Sequence, residues 1–124
     1  MKGKIGFKHA INGLISVFKS EWNFRFHLFA GLVVIVLSFL LKLTLMEWAL
    51  VILVIGMVLI SELVNTVIEK LIDYLKPDIH PTAKYIKDAA AGAVLVSAIC
   101  AAVLGSIIFL PKLYELIYYV FLNA

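Results

Sequence analysis

The chain has 124 residues, of which 64% are hydrophobic and only 15% are charged. Soluble globular domains carry about 45–50% apolar and about 25% charged residues, so this composition excludes an ordinary water-soluble domain and indicates a single unit solvated by lipid. The net charge is +3, but the lysines are not clustered on an aromatic-rich segment, which excludes a nucleic-acid surface and favours anionic headgroups or a phosphate ligand as the partner.

An amphipathic surface helix is the first predicted element, within residues 1–27. Apolar residues from Phe7 to Phe26 recur at three- and four-residue steps, which is the period of one helix face. Five cationic residues lie in the same segment. We therefore expect this helix to lie in the membrane interface.

Three membrane-spanning helices are predicted next, at about 28–46, 47–75 and 82–110. The first is uncharged from Leu28 to Leu41. The second begins with the uncharged run Trp48–Ser61, and no proline interrupts it before Pro77. The third contains the 22 uncharged residues Ala89–Leu110 and is rich in alanine and glycine, which favour close helix packing in lipid. We expect it to end at Pro111.

The distribution of cations predicts the topology. Most cationic residues lie in the N-terminal segment and in the 76–88 connection, whereas the 42–47 turn and the C-terminal tail have one lysine each. The positive-inside rule then places the N-terminus and the 76–88 connection in the cytoplasm and the C-terminus outside. The predicted fold is therefore an all-α integral membrane bundle of three spans, N-in and C-out.

The second predicted span ends in a polar stripe. At 100° per residue, Glu62, Asn65, Glu69 and Asp73 fall within about 80° of one helix face. Glu62 lies near the inner edge of the hydrocarbon, where a carboxylate costs about 2.5–3.5 kcal/mol unless it faces protein or water. Its presence calls for a function or a partner.

The residue types in this stripe favour phosphoryl transfer to a lipid-embedded alcohol. Carboxylate pairs suit Mg²⁺ shared with substrate phosphates, a carboxylate near the acyl boundary suits removal of a hydroxyl proton, and nearby lysines neutralise phosphate charge. The same acids are also compatible with a solvated helix end, and Arg25 and Lys87 with ordinary interfacial anchors. No Walker loop or GxGxxG motif is present in the sequence.

Three segments resemble the small prokaryotic diacylglycerol kinase and undecaprenol kinase family. They are SEWNFRFH at 20–27, ELVNTVIEKLID at 62–73 and HPTAKYIKDAAAGAVLV at 80–96, and the resemblance extends over about residues 7–113. It implies a homotrimer of three-span subunits in the bacterial cell membrane, with an active site at the cytoplasmic interface that uses ATP and Mg²⁺. Residues 1–124 would then form one membrane kinase domain.

The resemblance also implies roles for individual residues. Glu62 corresponds to the general base, Asn65 lies beside it at the lipid hydroxyl, and Lys87 stabilises the transferred charge. Glu21 and Glu69 correspond to the metal-holding pair. The implied nucleotide-binding residues are His9, Glu21, Glu69, Asp78, Ile79, His80, Lys87 and Asp88.

The substrate is indicated by further segments. EWALVILVIG at 47–56, HPTAK at 80–84 and KDAAAGAV at 87–94 resemble the Gram-positive branch, whose members prefer undecaprenol. Trp22 stands where the family usually has an arginine. The alternatives are a diacylglycerol kinase, in which the same residues would serve, and, from a different class, a non-catalytic membrane scaffold or small transporter subunit.

Overall fold

The computed structural model describes residues 3–123, and over this range the chain forms four helices. They are α1 (Gly3–Ser20), α2 (Trp22–Leu40), α3 (Leu45–Leu75) and α4 (Pro81–Leu122). Of these, α2, α3 and α4 are long and apolar enough to cross a membrane, which confirms the prediction of an all-helical protein with three spans. At 1.5 Å per residue, α3 and α4 are about 46 and 63 Å long, so both extend beyond a hydrocarbon layer of about 30 Å.

The first predicted helix is in fact divided at Glu21. The prediction of one helix over residues 1–27 is wrong, because Glu21 has extended backbone angles (φ −115°, ψ 112°) and separates α1 from α2. The Arg25 guanidinium donates to the carbonyl oxygens of Phe18 at 2.7 Å and Lys19 at 3.0 Å, so it satisfies carbonyls that the end of α1 leaves free. Residues 22–27 therefore begin the first span, which ends at Leu40 rather than at residue 46.

A tight turn joins α2 to α3. The Leu43 N–H donates to the Ser38 carbonyl at 3.2 Å and the Lys42 N–H to the Phe39 carbonyl at 3.3 Å, which is the hydrogen-bond pattern of a Schellman cap. Lys42 has a φ of 54°, the left-handed conformation that this cap requires and that glycine usually supplies. The next helix then starts at Leu45, two residues before the predicted start.

A capping box begins α3. The Thr44 hydroxyl accepts from the Glu47 N–H, and the Glu47 carboxylate accepts from the Thr44 N–H. Glu47 also lies 3.1 Å from the ammonium group of Lys112 on α4. This ion pair fastens the start of α3 to α4 at the end of the bundle remote from Glu62.

The last helix is longer than predicted. Its first residue is Pro81, but it continues through Pro111 to Leu122, so the prediction that Pro111 ends it is wrong. Proline removes the hydrogen bond to the carbonyl four residues earlier. The residues that follow are nevertheless held in place, because Lys112 pairs with Glu47.

Small residues bring the spans together. On α4 the buried positions Ala83, Ala90 and Ser97 recur every seven residues, and they form a seam against α3, its main packing partner. Gly31 on α2 packs so closely on Ile55 of α3 that an added Cβ would lie 3.1 Å from the isoleucine side chain. Close approach through small side chains is the usual basis of helix association in lipid.

The strained Lys42 gives a stability prediction. Replacing it with glycine should raise the free energy of unfolding by up to about 1 kcal/mol. A non-glycine residue in the left-handed region destabilises the folded state by about 1–3 kcal/mol, and glycine removes this strain. Part of the gain is lost because glycine also increases the conformational entropy of the unfolded chain. The midpoint of SDS-induced unfolding in mixed micelles measures the change. Lys42→Ala is the matched control, since it removes the charge and keeps the strain; equal midpoints for the two variants would contradict the prediction.

Candidate active site

Glu62 is a buried carboxylate at the level where α2 begins and α3 nears its end. Its residue surface is 4% exposed. The Nε2 atom of His27, on the second turn of α2, lies 3.1 Å from the Glu62 Oε1, close enough for an ion pair when the imidazole is protonated. Glu62 therefore has the partner that a carboxylate at this depth requires.

One turn further along α3 lies an amide–carboxylate pair. The Asn65 side-chain N–H donates to the Glu69 carboxylate at 3.4 Å. The Asn65 Oδ1 atom is buried and accepts no hydrogen bond from the residues that the structure describes. A buried acceptor without a donor is uncommon in proteins and frequently indicates a binding site.

Glu21 reaches the same side of α3 from the α1–α2 junction. Its carboxylate lies 3.9 Å from the Lys70 ammonium group, next to Glu69 in the sequence. The negative charges of Glu21 and Glu69 both act electrostatically on the Glu62 carboxylate, so the three acids lie near one another. The structure thus brings together Glu62, Asn65 and the two acids Glu21 and Glu69 that the sequence analysis singled out.

Oxygen donors in this cluster fit Mg²⁺. No group of three or more His, Cys, Asp or Glu side chains within residues 3–123 is arranged to hold a metal. Two carboxylates, from Glu21 and Glu69, with the unpartnered Asn65 Oδ1 nonetheless form a set of hard oxygen ligands. Mg²⁺ commonly takes one or two carboxylates from the protein and completes its shell with water and substrate phosphates.

A polar cleft of about 260 Å³ opens further along, between the end of α3, from Asp73 onward, and the start of α4. Lys87 lies in its wall and forms an ion pair with Asp73 across the two helices. Asp88 pairs with Lys84 one turn away on α4. The cleft is lined by Asp73, Lys76, Pro77, Asp78, Ile79, His80, Ala83, Lys84, Lys87 and Asp88.

Five of the predicted nucleotide-binding residues therefore share one cleft, but two histidines differ from the expectation in their surroundings. The His80 Nδ1 accepts from the Thr82 N–H at 3.1 Å and caps α4, so that nitrogen is already engaged. His9 is exposed on α1 and makes no hydrogen bond or ion pair with the described part of the chain. The structure does not bring His9 to the other candidates.

An apolar groove of about 160 Å³ leads away from Glu62 between α2, α3 and α4. His27 lines its polar end, and Phe109 lies at the other. Small residues on two helices, Gly31 and Gly105, keep the groove open. A hydrocarbon chain bound here would have its head next to the buried carboxylate.

His27 and Lys70 are the contacts that the sequence analysis missed. No role was assigned to His27 from the sequence, because residues 1–27 were expected to form one surface helix. The break at Glu21 instead places it within the first span, facing α3. A histidine followed by an uncharged stretch was the signal available, since a titratable residue at the start of a span usually has a partner.

Helices of spanning length, with a cluster of acids, an amide and cations at one end, define a small multi-span membrane protein with a polar site at one membrane face. The sequence profile of prokaryotic diacylglycerol kinase matches residues 8–109. The chain therefore belongs to the prokaryotic diacylglycerol kinase family, a family of lipid kinases, as the sequence resemblance indicated.

The relatives that match most of the chain include, by name, an undecaprenol kinase and diacylglycerol kinases. It is 44% identical over 107 residues to the undecaprenol kinase of Bacillus subtilis, covering 86% of this chain and 87% of the relative. It is 39% identical over 113 residues to the diacylglycerol kinase of Synechocystis sp., covering 90% and 65%. With the diacylglycerol kinase of Pseudomonas aeruginosa it shares 34% identity over 103 residues, covering 77% and 84%.

Proposed function

We propose that this chain transfers the γ-phosphoryl group of ATP to undecaprenol at the cytoplasmic face of a bacterial cell membrane. The observation that carries the proposal is the buried Glu62 carboxylate, which pairs with His27 at one end of an apolar groove. A lipid alcohol in the groove would have its hydroxyl near Glu62. A nucleotide in the polar cleft, which begins at Asp73 about three helical turns further along α3, would extend its phosphates toward it.

In the proposed reaction Glu62 takes the proton of the lipid hydroxyl. The hydroxyl oxygen bonds to the γ-phosphorus of ATP, and the bond from that phosphorus to the bridging oxygen of ADP breaks. Glu21 and Glu69 would hold Mg²⁺, which when bound neutralises charge on the phosphates, and Asn65 would lie beside the lipid hydroxyl. Lys87 offsets the negative charge of the transferred group, and Asp73 holds its ammonium group at the wall of the cleft.

Undecaprenol is favoured over diacylglycerol by sequence similarity. The Bacillus subtilis relative, which is named for undecaprenol, matches at 44% identity and aligns over nearly the whole of both chains. The Synechocystis sp. diacylglycerol kinase matches at 39%, and 65% of its length is covered. Diacylglycerol kinase activity is therefore the second candidate, and the same side chains would serve it.

Orientation and assembly are part of the proposal. The cation-rich end of the bundle, with α1 and the 76–80 loop, would face the cytoplasm. The apolar side chains of α1, such as Phe7 and Phe18, are exposed and suit an interfacial helix. A homotrimer would cover further apolar surface of the three spans, whose large hydrophobic side chains are widely exposed in the single chain.

The first prediction of this proposal concerns Glu62 and the substrate. Purified wild-type protein given equal mole fractions of undecaprenol and diacylglycerol in one detergent, with MgATP, should phosphorylate undecaprenol with the higher kcat/KM. Glu62→Gln should lower kcat by roughly 10²–10⁴-fold, because the amide cannot accept the hydroxyl proton.

The readout is ³²P transfer to each lipid, and Glu115→Gln, an exposed acid on α4 beyond Pro111, is the control with near wild-type rate. Near wild-type turnover by Glu62→Gln would refute the base assignment. A higher kcat/KM for diacylglycerol would favour the second candidate function.

The second prediction concerns Mg²⁺. Glu69→Ala removes one proposed ligand, so the Mg²⁺ concentration that gives half-maximal activity should rise. Loss of a group that only hydrogen-bonds to a metal ligand already lowers metal affinity by roughly 10–100-fold, so the rise should be at least this large. Mg²⁺ titrations at saturating ATP measure it. Glu115→Ala serves as the matched loss of a carboxylate; an identical titration for the two variants would exclude Glu69 from the metal site.

The third prediction concerns the groove. A leucine at Gly105 would fill part of it, and the added Cβ meets no atom within 4 Å, so the fold should tolerate the change. Loss of contacts to about two methylene groups, at about 0.8 kcal/mol each, should raise the KM for the lipid about tenfold and leave the KM for ATP unchanged.

Gly92→Leu is the control, because Gly92 lies on the same helix with equally open space but outside the groove. If Gly105→Leu kept the wild-type KM for the lipid, the groove would not hold the lipid chain. A raised KM for the lipid in Gly92→Leu alone would indicate that the lipid binds to the other face of α4.

A further inference from the structure

In the proposed reaction Glu62 is a buried general base, so the proton that it accepts cannot pass directly to bulk water. Each turnover leaves one proton on its carboxylate, and only 5% of the Glu62 side chain is exposed to solvent. The proton must leave before the next lipid can react. Within residues 3–123, the one side chain within ion-pair distance of the Glu62 carboxylate is His27, at 3.1 Å.

The position of His27 suits it to carry this proton. Its side chain is 24% exposed, so one part of the ring reaches solvent while Nε2 lies beside Glu62. The other charges that act on Glu62 belong to Glu21 and Glu69, which are acids that the proposed function assigns to the metal. Each of these acids has a partner of its own, because Glu69 accepts from the Asn65 amide at 3.4 Å and Glu21 lies 3.9 Å from the Lys70 ammonium group.

We propose that His27 is the positioning residue of Glu62 and the group through which its proton leaves the site. In the neutral form with the proton on Nδ1, the Nε2 lone pair accepts the proton from the Glu62 carboxylic acid. The partly exposed ring then turns toward solvent and releases the Nε2 proton to water, which regenerates the carboxylate and the neutral ring with its proton on Nδ1, and no electron is gained or lost. Imidazole is the side chain best suited to accept and release protons near neutral pH.

The inference rests on the proposed lipid kinase function and makes a distinctive prediction. His27→Ala and His27→Gln should both lose kcat by the order of 10²-fold, the lower end of what proton transfer contributes, with the KM for ATP unchanged. Glutamine can still donate a hydrogen bond to Glu62 but cannot relay a proton. A purely structural contact would therefore be retained in His27→Gln.

The decisive measurement is chemical rescue. Free imidazole added to His27→Ala should restore kcat in a saturable manner, whereas it should not restore Glu62→Gln or stimulate the wild-type enzyme. The assay uses whichever lipid the wild-type protein phosphorylates, and unfolding midpoints and ATP binding of each variant establish that it is folded.

The outcomes separate the hypotheses. Wild-type kcat in His27→Gln, or a slow His27→Ala variant that imidazole does not accelerate, would overturn the relay. Rescue by imidazole but not by a base of similar size that cannot carry a proton, such as thiazole at a pH far above its pKa, supports it. Absence of lipid phosphorylation by the wild-type protein would instead refute the proposed function.

Discussion

The need to compensate one carboxylate at membrane depth determines how the N-terminal half of the chain is arranged. Glu62 is buried among helices that are otherwise largely apolar, where an unpaired charge would be costly. His27 can reach it only if α2 starts before the uncharged stretch, so that its first turns carry polar residues. The chain breaks at Glu21 just before α2, and Arg25 stabilises that break by binding the carbonyl groups at the end of α1. The break also leaves the Glu21 carboxylate 3.9 Å from Lys70 on α3.

Packing holds α3 against α4, and an ion pair at each end of the contact fixes the position of one helix along the other. Exposed ion pairs contribute only about 0–1 kcal/mol each, so Lys87–Asp73 at one end and Lys112–Glu47 at the other cannot be the main source of stability. The seam of alanine and serine on α4 provides the close packing. The ion pairs have a geometric effect, because a shift of α4 by one turn would break both. Lys87 is therefore held at a defined height beside the polar cleft.

Local sequence patterns predicted much of the structure. They did not predict the features that depend on contacts between different helices. The stripe of Glu62, Asn65 and Glu69 follows from helix periodicity alone, which is why these side chains could be grouped from the sequence. The break at Glu21 could not be predicted, because no proline or glycine marks it and the Arg25 side chain stabilises it through carbonyl groups six and seven residues earlier. Pro111 shows the converse: the local signal for a helix end was present, but contacts of the following residues maintain the helix.

Selection of the lipid has to come from elsewhere than the reacting atoms. A carboxylate base requires only a hydroxyl within reach, and a primary alcohol on a long polyprenyl chain presents the same group as one on diacylglycerol. Discrimination therefore depends on what lies behind the hydroxyl, and in this chain that is the groove between α2, α3 and α4. The groove is narrow where Gly31 meets Ile55, and any side chain at Gly31 would tighten it further. Changes in the groove should therefore alter which lipid reacts while leaving the reaction at the hydroxyl unchanged.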